Sequence, residues 1–208
     1  MMSAYYYTVD NESQGEITEK KSRFICTLKH VETEEDAAAF INSIKKKYYD
    51  ARHNCSAYIL GGRQETVRSS DDGEPSGTAG RPMTDIMLGN GLSNVCAVVT
   101  RYFGGTLLGT GGLIRAYSQA VKEALNNAEL VKMTKSVRFR ATISYNELNI
   151  LMRVMSTSEI KQLSSEYGES IVFLLQVPED DYENIVNRIT DATLSRAMIE
   201  EVSRGYYV

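Results

Sequence analysis

Two hydrophobic rhythms alternate along the chain, and the changes between them mark out most of its elements. Ser22–His30 alternates apolar and polar side chains with the period of two of a half-buried strand. Thr33-Glu-Glu-Asp36 then reads as a helix cap. Ala37, Phe40, Ile41, Ile44 and Tyr48 follow at the three- and four-residue spacing of one helical face. Acids open that helix and Lys45-Lys-Lys47 ends it, the order the macrodipole favours, so the lysine run is predicted to be a solvated helix end. His53–Leu60 predicts a second strand, Gln64–Ser69 a third, and the stretch from Arg81 or Pro82 to Leu88 a short helix. Asn94–Phe103 predicts a buried apolar strand. A long helix then runs to about Asn126 with Leu113, Ala116, Tyr117, Ala120, Val121, Ala124 and Leu125 on one face, and Glu129–Met133 is placed as a strand closing the sheet.

The tail repeats the scheme at smaller scale. Val137, Phe139, Ala141 and Ile143 alternate with Arg138, Arg140 and Thr142, while Leu148, Leu151, Met152 and Met155 trace a helix face. Tyr182, Ile185, Val186 and Ile189 repeat those offsets after Pro178 opens a second helix. With strands near 159–167, 170–177 and 198–207, the order is βαββαβ, a ferredoxin-like split. The expectation is an α+β chain of two domains, 1–134 and 135–208, with a linker between Lys132 and Ser136.

Glycine usage draws attention to one stretch. Twelve of the fifteen glycines lie between Gly61 and Gly112, and the run ends in a loop that feeds the long helix. Glycines ahead of a helix start leave unsatisfied N–H groups aimed at one spot, which attracts anions. Arg101, at the carboxyl end of the buried strand, and Arg115, where the dipole disfavours a cation, are expected to flank that spot. The predicted anion or nucleic-acid site is Arg101, Gly104, Gly105, Gly109, Thr110, Gly111, Gly112 and Arg115, with Arg81 nearby. The alternative is that the glycines only let helix pack on strand. Gly104 and Gly109 have Walker-type separation, but Thr110 stands where the lysine belongs, and no Gly-x-Gly-x-x-Gly of dinucleotide type is present.

Charge and composition narrow the picture. Residues 1–136 hold 16 Lys or Arg against 16 Asp or Glu, whereas 137–208 hold 7 against 11, so the tail carries the whole net charge of −4. That balance is unlike a domain gripping phosphates non-specifically. Between Ala51 and Tyr117, however, every cation is an arginine, at positions 52, 63, 68, 81, 101 and 115, and arginine's planar fork suits phosphate or carboxylate partners. Internal pairing with Asp71, Asp72, Glu74 and Asp85 is the other reading. No apolar run spans a membrane, and residues 1–10 lack a signal-peptide pattern, so a cytoplasmic location is expected. Three cysteines, none in a Cys-x-x-Cys pair, predict no disulfide.

Ser69–Pro82 is a long polar loop holding Asp72 and Glu74. Those acids form an acid/base or metal pair, or else they pair with Arg81 and Arg101 or accept N–H groups in their own turns. His53 and Cys55 share a strand face, but two ligands do not make a zinc site. His53, Asp72 and Glu74 are therefore kept as catalytic candidates, with no metal and no cofactor expected.

Asp72-Gly-Glu-Pro-Ser-Gly-Thr-Ala-Gly-Arg-Pro82 and Arg101-Tyr-Phe-Gly-Gly-Thr-Leu-Leu-Gly-Thr-Gly-Gly-Leu-Ile-Arg115 resemble the signature of the YigZ/Impact family, and Lys21-Ser-Arg-Phe-Ile25 and Arg52-His-Asn-Cys55 fit the same pattern. The resemblance implies a first domain similar to the second domain of ribosomal protein S5 and a tail similar to a domain of elongation factor G. It also implies a link to translational control or stress response. The expected function is binding of RNA, the ribosome or a translation-associated protein through the Arg101–Arg115 surface. The alternatives are a hydrolase or phosphate-handling enzyme using Asp72, Glu74, His53 and Arg101, or a protein-interaction module whose acidic tail docks a basic partner.

Overall fold

A computed structural model describes residues 5–208; the first four positions of the segment read against a signal peptide lie outside them. The chain divides into two compact units, the first ending at Met133 and the second running Thr134–Val208.

The first unit is built on a sheet of β2 (Ser13–Glu19), β3 (Ser22–His30), β6 (Val95–Tyr102), β4 (His53–Leu60) and β5 (Thr66–Ser70), in that spatial order. Every neighbouring pair is antiparallel. Helices α2 (Gly80–Gly89) and α3 (Gly109–Asn126) cover one face and α1 (Glu34–Lys47) the other. The central strand β6 sends Val95, Ala97 and Val99 to one core and Cys96 and Val98 to the opposite one, which is why its sequence runs apolar instead of alternating. Helix α1 begins on a full capping box: Thr33 accepts from the Asp36 N–H and Asp36 from the Thr33 N–H. Helix α3 lies directly against edge strand β2. A Cβ on Gly15 would stand 2.2 Å from the Ala124 backbone nitrogen, so only glycine fits there.

Strands β1 (Tyr5–Val9) and β2 were not marked by the hydrophobic pattern. In β2, Ser-Gln-Gly-Glu-Ile-Thr-Glu offers a single aliphatic residue, because backbone contact through Gly15 replaces side-chain burial. The Glu129–Met133 strand exists, but it opens β7 (Leu130–Ile143) and pairs with β1 instead of closing the main sheet. Residues 132–136 are likewise inside β7, so a strand and not a loop linker carries the chain across the division.

The second unit orders its strands β10 (Met198–Tyr207), β7, β9 (Ile171–Pro178), β8 (Lys161–Tyr167), all antiparallel, with α4 (Leu148–Ser156) and α5 (Tyr182–Ala192) between them in sequence. This is the βαββαβ split expected from the tail's rhythm. Val137, Phe139, Ala141 and Ile143 meet Phe173 and Leu175 beneath Leu151, Ile185 and Ile189 to close a separate core. Among the described residues no helix is long and apolar enough to cross a membrane.

Candidate functional site

Strand register sets Phe24, Arg101 and His53 side by side on β3, β6 and β4. Over them lie Tyr117 of α3 and the loop from Asp71 to Ala79. Arg101 is only 6% exposed, and its Nη1 donates to Glu74 Oε1 at 2.6 Å. The same carboxylate oxygen accepts the Tyr117 hydroxyl at 2.8 Å. Cys55 Sγ lies 3.2 Å from that hydroxyl and 3.0 Å from the Asp71 carbonyl. Burial pushes the Cys55 thiol up to about 12 and the Tyr117 phenol far above its ordinary range, so both keep their protons and serve as donors. The Arg101 guanidinium carbon sits 5.4 Å from the Phe24 ring centroid and 5.6 Å from that of Phe103. Its charge is thus met by one carboxylate and two aromatic rings, while its Nε is buried without a hydrogen bond.

The polar loop is ordered by its own acids. The Asp71 carboxylate accepts the N–H groups of Gly77, Ala79 and Gly80 at 2.7, 3.0 and 2.8 Å, supplying α2 with the cap its Ala79 cannot provide. Asp72 sits at φ +41° ahead of Gly73 at φ +86°. Its carboxylate receives Lys45 Nζ at 2.7 Å and the Asn54 N–H at 2.8 Å. The Asp72 carbonyl lies 2.9 Å from His53 Nδ1; a carbonyl only accepts, so Nδ1 carries the proton. Burial works to raise the pKa of both aspartates, but the donors around them prevail and hold both below the usual carboxylate range.

These positions change the reading of several expected residues. Arg101, expected to flank the anion site, lies inside the unit. It is buried on the core face and neutralised by Glu74, the internal pairing that was its other reading. Arg115 is exposed on α3, at a separate groove of about 440 Å³ that also holds Ile17, Ile86, Ile114 and Lys122. Arg81 is exposed in the first turn of α2, and the acids assigned to it pair elsewhere: Asp72 with Lys45, whose lysine run is therefore not simply a solvated end. Among the described residues, no three His, Cys, Asp or Glu side chains cluster to hold a metal.

The glycine loop divides into two kinds of position. A Cβ on Gly104 would fall 2.0 Å from the Lys21 carbonyl carbon, and the Gly104 N–H donates to Ser22 Oγ at 3.1 Å; one on Gly112 would lie 2.9 Å from the Leu108 Cβ. Gly105 and Gly109, at φ +85° and +72°, instead have no neighbour within 4 Å. Helix α3 starts at Gly109 with no side-chain cap from Leu108, leaving its first N–H groups without a capping side chain beside the exposed Thr110 and Gly111. Phe103 and Leu107, 56% and 82% exposed, stand on the same loop. Sequence reasoning passed over both, along with the Tyr117 hydroxyl. The signal for Tyr117 was a tyrosine, not a phenylalanine, on an otherwise apolar helix face.

Fold and site together define a class: an α+β protein of two units, the first carrying a glycine-rich loop above a buried arginine–glutamate pair. The Impact N-terminal domain family matches residues 20–125, and a domain of unknown function (DUF1949) matches residues 142–195. The chain is 40% identical over 201 residues to the IMPACT family member YvyE of Bacillus subtilis, covering 97% of this chain and 93% of that protein. It is 35% identical over 187 residues to the IMPACT family member YigZ of Escherichia coli, covering 88% and 92%. A solved structure described as that of a hypothetical protein superposes with a TM-score of 0.62 at 30% identity, over 97% of this chain and 98% of that one. The chain belongs to the Impact family.

Proposed function

We propose that this protein acts on translation by binding, with ribosomal RNA as the partner and the surface from Phe103 to Arg115 as the contact. The translation link rests on the family resemblance. The observation that supports the place of contact is the open loop itself, where an exposed aromatic ring, two open glycines, a helix start without a capping side chain and an arginine with no ion-pair partner among the described residues occupy one stretch of chain.

Each part has a task in RNA recognition. Phe103 offers a ring on which an unpaired base stacks. The α3 N–H groups donate to a phosphate, and Gly105 and Gly109 let the backbone come close to it. Arg115 adds a whole charge. Arg101 acts from below as a positioning residue: held by Glu74 and Tyr117, it supports the Phe103 ring from the protein side. Asp72, Glu74 and His53 are read as structural, because each is already occupied by an internal partner.

Sedimentation of the purified protein with ribosomes over a salt series tests this reading. Co-sedimentation should fall steeply with salt, the logarithm of the association constant dropping by roughly 0.7 to 0.9 per neutralised phosphate for each tenfold rise in salt. Binding that is absent at low salt, or unaffected by salt, contradicts it.

A further inference from the structure

The second unit carries a surface that the loop does not explain. Between α4 and α5 lies a groove of about 520 Å³ with an aliphatic floor of Ile150, Val154 and Ala192 and a rim holding Arg153 and Arg188. Arg188 is fixed in place: its Nη1 donates to Ser158 Oγ at 2.6 Å and its Nη2 to Thr157 Oγ1 at 2.9 Å. Those hydroxyls are themselves held, donating to the carbonyls of Val154 and Arg153 at 2.9 and 3.1 Å. A guanidinium oriented by neutral groups keeps its whole charge.

Composition does not force this arrangement, since residues 137–208 hold 11 acids to 7 bases. Arg140, Arg196 and Arg204 each have a glutamate within ion-pair distance, and Arg138 stacks on Tyr207. Among the described residues, Arg153 and Arg188 have no acidic partner. The carboxyl end of α4 lies beside them, but a helix terminus supplies only about half an elementary charge, which leaves most of two positive charges uncompensated over an apolar floor.

We propose that this groove docks a short acidic peptide segment that brings an aliphatic side chain. The floor takes the aliphatic anchor, and the two arginines take carboxylates. Nucleic acid fits less well, because no aromatic ring lines the groove to stack a base.

The test is a titration of ¹⁵N-labelled full-length protein with acetyl-Glu-Asp-Leu-Leu-Glu-amide, with the lysine-for-acid version of that peptide and an oligouridine as comparisons. The acidic peptide should shift the amides of Ile150, Arg153, Val154, Thr157 and Ala192 below about 1 mM, and the basic one should not. Arg153→Gln and Arg188→Gln should each weaken binding at least about tenfold. Because the exposed Arg153 side chain makes no hydrogen bond in the fold, its variant remains decisive if Arg188→Gln loosens α4. Phe103→Ala should leave the titration unchanged, which separates this surface from the loop. No shift up to about 1 mM, an equal response to the basic peptide, a stronger one to oligouridine, or undiminished binding by Arg153→Gln overturns the proposal.

Discussion

Glu74 and Arg101 show how residue type can be legible while role is not. Both stood out in the sequence, one as a candidate acid and the other as a candidate anion ligand. Alternation normally says which side of a strand a residue faces, but β6 is buried on both sides, so its pattern gives no such signal for Arg101. What the sequence hid was the third member, Tyr117, which lies on the apolar stripe of α3 and spends its hydroxyl on Glu74. Taking one partner from a buried ion pair strands the other, a loss of about 3 to 5 kcal/mol. Glu74→Gln keeps the shape but removes the charge opposite Arg101, so urea denaturation should show stability reduced by about 3 kcal/mol. An unchanged midpoint and slope would mean that the pair contributes nothing net to the fold.

At the scale of elements, periodicity located β3, β4, β6, α1 and α3, and in the second unit the 137–143 part of β7 with α4 and α5. It failed at β1 and β2, where backbone approach and edge position replace the apolar alternation that makes a strand visible. The glycines carry part of that hidden information. Gly15→Ala and Gly104→Ala must push a methyl into backbone, whereas Gly105→Ala meets open space and costs only the left-handed strain of roughly 1 to 2 kcal/mol. Thermal denaturation should therefore rank Gly15→Ala and Gly104→Ala well below Gly105→Ala. Equal losses would mean that close packing does not constrain Gly15 and Gly104.

The Asp71–Gly80 loop makes a pH prediction at the same scale. Asp71 has a folded pKa below its ordinary value, so it binds its proton less tightly folded than unfolded. Its stabilisation is complete above the unfolded value near 3.9 and is lost as pH falls through the lower folded value. The start of α2 should loosen in that acid range. Asp71→Asn removes the titration, so its stability should fall less steeply below about pH 4 than that of the wild type. Parallel acid limbs for the two proteins would contradict this assignment.

For the whole molecule, the sequence reading placed a linker between Lys132 and Ser136, where the structure has β7. A strand can pass from one unit to the next because each core closes on its own residues. We therefore expect a polypeptide of residues 134–208 to fold alone, with a single cooperative transition in urea and dispersed amide resonances. A non-cooperative melt would show that the second core depends on the first unit.

The central claim is that the protein acts by binding through the exposed loop. It is tested most directly by the ratio of ribosome dissociation constants for Phe103→Ala and wild type, measured by co-sedimentation at one salt concentration with folded protein verified. Phe103 is 56% exposed, so its removal spares the core, and the loss of one stacked base should raise the constant roughly five- to a hundredfold. An unchanged constant with the fold intact would mean that the loop is not the contact.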